Sequence, residues 1–237
     1  MEDRKITIMQ PYFLPYIGYF QLLNAVDLFV VYDNIQYTKK SWINKNRIIE
    51  NKKDTLFTLP LKKDSDYLDI RERFLNENEK NKNHAKILNK IKNNYGKAPF
   101  YDESINTICK IFNHDEINLF DFVFNSIETI KAYLDITTEL VISSKIEDGA
   151  LKHKYRVWDI CKKLNSQNYI NPIGGLNLYN KEEFKKNGIN LSFLKTDNIV
   201  YNQFNNEEFI TNLSIIDMLM FNGKEKTKKF LNNYTLI

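Results

Sequence analysis

The sequence predicts an α/β fold, with an open, mainly parallel, Rossmann-like sheet and a central helical insertion at about residues 83–134. Three observations carry this prediction. Two short apolar segments, 5–9 and 28–32, flank a loop and a short helical stretch, which is the pattern of a βαβ unit. Residues 85–133 carry three helical apolar stripes in succession. Strand and helix patterns then alternate again from residue 138 onward. At 237 residues the chain lies near the upper size of one hydrophobic core, so a single domain over residues 1–237 is expected.

Taken in order, residues 5–9 are β-branched and end at Gln10-Pro11. The loop 11–18 holds two prolines and three aromatics, and 19–25 reads as a helix. Residues 28–32 are apolar throughout and bounded by Asp27 and Asp33, as in a strand covered on both faces. Residues 47–49 and 55–60 form a hairpin turning at 51–54. The insertion follows, with stripes through Ile87, Leu88, Ile91 and Tyr95, then Ile105, Ile108, Cys109 and Phe112, then a longer one through Phe120, Val123, Phe124, Ile127, Ile130 and Leu134. Strands are expected over 138–143, 168–171 and 189–194, and helices over 155–164, 181–186, 214–221 and 224–232. In such sheets ligands bind outside the carboxyl ends of the strands. That edge would gather the loops 10–18, 33–42 and 171–179.

Composition excludes several classes. Hydrophobic residues make up 43% and charged residues 27%, so the chain has a core to bury. A net charge of +4, with basic runs interrupted by acids, is a solvated surface and predicts no nucleic-acid partner. Cys109 and Cys161 fall on helical apolar stripes without metal-ligand spacing, so free thiols and no metal are expected. Free thiols point to a reducing compartment, and no run approaches the ~18 apolar residues of a membrane span. A cytoplasmic protein with no membrane partner is the expectation.

The chemistry concentrates in the loops. Gly18, at a strand-to-helix turn, would let a ligand or a neighbouring backbone come close, and Gln10, Tyr12 and Tyr16 set polar tips beside flat faces. A packed aromatic turn is the competing reading. In the next loop Asp33 ends a buried strand, where working carboxylates are found in α/β enzymes. Gln36, Lys39, Trp42, Asn44 and Arg47 could surround an anionic, hydroxyl-rich ligand. The third loop offers a Gly174-Gly175 turn and Tyr179. Of the three histidines, His84 opens a helix and is the candidate general base, a surface histidine being the alternative. His153 reads as solvated and His114 as structural. Asp217, in an apolar helix, reads as half of a core salt bridge.

The run MQPYFLPYIGYFQLLNAVDLFVVYDNIQYTKKSWINKNRI, residues 9–48, resembles the opening of the WbqC-like proteins of bacterial surface-polysaccharide clusters. The resemblance continues at 57–61, 84–100, 169–179, 213–219 and 222–223. It implies an enzyme of O-antigen sugar biosynthesis that transfers an acyl or aminoacyl group to a nucleotide-linked amino deoxysugar. The acyl donor would be acetyl-coenzyme A or an activated amino acid. No catalytic residue comes with the resemblance, so the roles of His84 (base) and Asp33 (holding sugar hydroxyls or an ammonium) rest on chemistry alone. Residues 15–19 also occupy the place of the His-x-Gly-His turn of nucleotidylyltransferases and pantothenate-synthetase-like ligases. Tyr16 and Tyr19 stand where those enzymes carry ATP-binding histidines. An ATP-dependent ligase and a non-catalytic nucleotide-sugar binder are the alternatives.

Overall fold

The computed structural model describes residues 4–204 and 208–237. Strand β1 (Lys5–Met9) leads through helix α1 (Ile17–Asn24) to β2 (Leu28–Val31), parallel to β1 with Ile6 opposite Leu28. All four residues of β2 are buried, because both faces of the sheet are covered.

The chain then leaves the sheet for a two-stranded hairpin, β3 (Lys45–Glu50) and β4 (Lys53–Thr58). Glu50 pairs with Lys53, so the loop is only Asn51-Lys52, tighter than the turn at 51–54 expected from sequence. Both residues have positive φ (52° and 62°), the backbone a two-residue hairpin loop needs to match the strand twist. Three helices follow: α2 (Glu77–Tyr95), α3 (Tyr101–Phe112) and α4 (Leu119–Tyr133). The excursion between strands of the main sheet thus includes the hairpin as well as the helices.

The sheet resumes with β5 (Glu139–Ile142), then helix α5 (His153–Lys163), β6 (Asn168–Pro172), helix α6 (Lys181–Lys186) and β7 (Asn190–Thr196). Helix α7 (Ile215–Phe230) and β8 (Tyr234–Leu236) close the chain. Strand order is β5-β2-β1-β6-β7-β8, parallel except for β8. The parallel strands therefore run 3-2-1-4-5 in chain order, the doubly wound Rossmann arrangement, with its switch point between β1 and β6.

Alternation within the strands sorts the core into two layers. Ile6, Ile8, Leu28, Val30, Tyr169 and Phe193 pack against α5 and α6 through Val157, Ile160 and Phe184. Phe29, Val31 and Ile170 face the other way, onto α1, the hairpin, α2 to α4 and α7. The helices expected over 214–221 and 224–232 are the two halves of α7, broken at Gly223. There φ is 65° and ψ −176°, and a Cβ would strike the Phe100 ring. β8 was not foreseen, since three residues give too short a pattern to read. Buried Gln21 on α1 donates its amide to the carbonyls of Phe230 and Asn233, satisfying the end of α7.

Candidate functional site

The loop leaving β1 is pinned by hydrogen bonds to the carbonyls of Phe13, Leu14 and Pro15. Phe13 N–H donates to the Trp42 carbonyl at 3.0 Å. Asn46 Nδ2 donates to the Phe13 and Leu14 carbonyls at 3.0 and 2.9 Å. Ser214 Oγ adds a bond to the Leu14 carbonyl at 2.7 Å, and Ile215 N–H one to Pro15 at 2.8 Å. These bonds hold Leu14 at φ 45°, unusual for a residue with a Cβ. Asn46→Ala leaves a buried carbonyl without its donor. It is expected to cost roughly 1–3 kcal/mol in urea denaturation.

That pinned loop forms one wall of a cleft. A cavity of about 320 Å³ is lined by Tyr12, Pro15, Tyr16, Trp42, Asn46, Arg47 and Asn212. Tyr16 and Asn212 also line an adjoining cavity of about 590 Å³ at the carboxyl end of β7, with Lys195, Thr196, Asp197, Tyr201 and Thr211 among its walls. The Arg47 guanidinium sits 5.5 Å from the centre of the Trp42 ring, a cation–π contact. Its Nη1 pairs with Asp54 at 2.7 Å, and Nη2 donates to the Asn212 carbonyl at 3.3 Å. Burial raises the Tyr12 and Tyr16 phenols above the usual range, and a Thr196 bond opposes this at Tyr16. Both stay neutral at physiological pH and keep an O–H to donate.

Gly18 serves this wall in a way the sequence did not suggest. A Cβ there would lie 2.4 Å from the Tyr16 ring, so the glycine makes room for Tyr16 and not for a ligand. Only the far end of the tyrosine blocks the added carbon. Gly18→Ala is therefore expected to stay folded while expelling the Tyr16 ring from the cleft, read as a changed Tyr16 environment by NMR with an unchanged circular dichroism spectrum.

Of the residues singled out from sequence, Tyr12, Tyr16, Trp42 and Arg47 come together here. Gln10 follows β1, half-buried, with its carbonyl accepting from the Tyr19 hydroxyl. Asn44 is turned inward: Tyr37 Oη donates to its Oδ1, and its Nδ2 donates to the Leu59 carbonyl. Gln36 and Lys39 bond Asp66 at the exposed surface, where the segment 66–71 runs alongside their loop, and neither lines the cleft. Asp33 is buried. One carboxylate oxygen accepts from Ser143 Oγ and Ser144 N–H, each at 2.9 Å, and the other lies 3.9 Å from Arg71. It thus ties the end of β2 to the turn after β5.

Gly174 and Gly175 form a 3-10 turn in which Gly175 makes room for the Asn171 amide, and Tyr179 packs on Tyr169 and Phe184 against the opposite face of the sheet. His84 is set apart. It lines a different cavity with Lys80, Phe112 and His114, which shares no residue with the cleft. Its Nδ1–H donates to the Phe112 carbonyl at 2.9 Å, and its ring lies against Phe112 and Phe122. Burial holds the imidazole below the usual range, hence neutral. His84→Asn is expected to lower stability rather than turnover, measured as a urea midpoint beside an activity assay. Asp217 pairs with no Lys, Arg or His among the described residues, so the expected salt bridge is replaced by hydroxyl and amide partners.

Sequence reasoning passed over Asn212, Thr196, Tyr201 and the pinning Asn46. For Tyr201 and Asn212 the missed signal was the length of the 197–214 connection, whereas Thr196 ends β7 and Asn46 lies in β3, where no such signal exists. Connections beyond about 12–15 residues without secondary structure are commonly functional. Among the described residues no group of three or more His, Cys, Asp or Glu could hold a metal ion, and no helix is long and apolar enough to cross a membrane.

Comparison with known proteins agrees with this architecture in extent. The chain is 27% identical over 228 residues to the uncharacterised protein Rv1507c of Mycobacterium tuberculosis, covering 94% of this chain and 95% of that one. No solved structure matches it significantly. The profile of the WbqC-like protein family matches residues 10–229, nearly the whole chain, and within it all of the cleft-lining residues except Thr235 and Ile237. This chain belongs to the WbqC-like protein family.

Proposed function

We propose that this protein is an enzyme of surface-polysaccharide sugar biosynthesis that transfers an acyl or aminoacyl group to the amine of a nucleotide-linked amino deoxysugar. The observation that carries the reading is the cleft wall in which Arg47, Trp42, Tyr12 and Tyr16 face one cavity that adjoins a second of mixed polar and apolar lining. An aromatic face beside a guanidinium suits a nucleobase next to a diphosphate, since Arg pairs with phosphate through parallel N–H bonds. The larger lobe, with Thr196, Asn198, Tyr201 and Thr211, offers hydroxyls and amides to a sugar ring. Both lobes lie towards the carboxyl ends of the strands, where doubly wound sheets bind ligands.

Acyl transfer to an amine needs a deprotonated nucleophile, alignment and stabilisation of the oxyanion, and no covalent catalyst. The donor in this reading is a thioester such as acetyl-coenzyme A, or an activated amino acid. An ATP-dependent ligase is disfavoured by Tyr16, whose ring lies over Gly18 at the start of α1, where the phosphate-binding turn of such ligases sits. The test is mass spectrometry of nucleotide-linked 3-amino and 4-amino deoxysugars incubated with each donor class. A donor-dependent mass gain is expected. Binding of the sugar nucleotide with no mass gain under any donor would favour the non-catalytic binder instead.

A further inference from the structure

Asp217 lies in the first turn of α7 and is fully buried. Its Oδ1 accepts from the Tyr95 hydroxyl at 2.8 Å, and Tyr95 Oη itself accepts from Ile49 N–H at 2.9 Å. Its Oδ2 accepts from the Tyr201 hydroxyl at 2.6 Å and from Gln203 Nε2 at 2.9 Å. Gln203 also bonds Ile210, and no cation pairs with the carboxylate among the described residues. A buried carboxylate held only by neutral donors carries a desolvation cost that a simple structural tie does not need. Burial pushes its carboxyl above the usual range, opposed by the bonds from Tyr201, Tyr95 and Gln203. Tyr201 is the one of these partners that also forms the wall of the larger lobe, alongside Lys195 and Asp197. A phenol has one proton to donate, and Tyr201 gives it to Asp217. Gln203 donates to one lone pair of the Tyr201 oxygen, and the other remains to accept from whatever occupies the lobe.

We infer that Tyr201 is a catalytic residue that takes a proton from the sugar ammonium and relays its own proton to buried Asp217. This rests on the functional reading above. In the step, the ammonium N–H bond breaks and its proton joins Tyr201 Oη, while the Tyr201 proton moves to Asp217 Oδ2. The freed amine lone pair forms the C–N bond to the thioester carbon. As the tetrahedral adduct collapses, the C–S bond breaks, and the second amine proton leaves with the thiolate as thiol. Asp217 returns its proton through Tyr201 to solvent when product departs. Asp217 acts through Tyr201 and is a positioning residue.

The test uses the full chain and the Tyr201→Phe and Asp217→Asn variants. Calorimetry compares a nucleoside diphosphate, a nucleotide-linked hexose and its amino counterpart. Tyr201→Phe removes one oxygen and leaves Gln203 on Asp217, so it is expected to fold. It should bind the nucleoside diphosphate as the wild type does, while its preference for the amino sugar over the hydroxyl sugar falls towards one. With a thioester donor, turnover should fall roughly 10²–10⁴-fold at neutral pH and recover as rising pH deprotonates the amine in solution. A purely structural Tyr201 would give no such recovery. A folded Tyr201→Phe that keeps both its amine preference and its turnover overturns the assignment, as does a loss of rate that high pH does not relieve. Asp217→Asn should reproduce the pH rescue if it folds, and full neutral-pH activity in it removes the relay. Failure of the wild type to bind even the nucleoside diphosphate would instead show that the functional reading itself is wrong, and the assignment with it.

Discussion

Arg156→Met should lower the free energy of unfolding by about 3–5 kcal/mol, the cost of leaving a buried charge without its partner. Arg156 and Glu147 form an ion pair with both side chains almost fully buried. The Arg156 guanidinium also donates to Asn34 and lies 4.4 Å from the centre of the Tyr32 ring. Asn34 completes the set, its Nδ2 donating to Glu147 Oε1 at 3.0 Å and its Oδ1 accepting from Arg156. The cluster joins the carboxyl ends of β2 and β5 to the start of α5. Total stability of a domain is about 5–15 kcal/mol, so this one change removes a large part of it. The pair is not expected to contribute as much as its removal costs. In a double-mutant cycle, Glu147→Gln with Arg156→Met should be less destabilised than the sum of the two single changes, because no charge is then stranded. Urea unfolding of the four proteins reads this directly. Strict additivity would show that the two side chains do not depend on each other.

Arg47→Met should weaken binding of a nucleotide-linked sugar roughly 10- to 100-fold, since a hydrogen bond to a charged group contributes about 1.5–3 kcal/mol. The loss should shrink as salt rises, because the contact is only partly buried and screening weakens it. Asp54 competes for the same guanidinium at 2.7 Å. Asp54→Asn should therefore tighten binding, while Trp42→Ala should weaken it with little dependence on salt, as stacking carries no net charge. Calorimetry at two ionic strengths separates these terms. An Arg47→Met protein with unchanged affinity would move the diphosphate away from this wall.

The fold was legible because its signals are local and periodic. The apolar run of β2, the stripes of α3 and α4 and the alternation after residue 138 each reflect one face buried against a layer, and each is found in the structure. The two halves of α7 could be separated because Gly223 marks the break. The site was legible only in part. Tyr12, Tyr16, Trp42 and Arg47 were identified by residue type, and they share one cavity. Asn44 and Gln36 have the same chemistry on paper, but their amides are used by the Leu59 carbonyl and the Asp66 backbone. A sequence shows what a side chain can donate, and it does not show that a distant carbonyl already accepts it. His84 stands in the part of the chain that resembles the family, yet Phe112 and Phe122 close around it and set it in another cavity. Asn212 and Tyr201 came from a connection with no periodicity at all, and only the folded chain brings them to the ends of β1 and β7.

The most direct test of the cleft is a crystal structure with a nucleotide-linked amino deoxysugar bound. The diphosphate should lie against Arg47, the base beside Trp42 and Tyr12, and the amino sugar in the lobe formed by Thr196 and Tyr201. Density for the same ligand beside His84, or at the Gly174-Gly175 turn, would contradict this account.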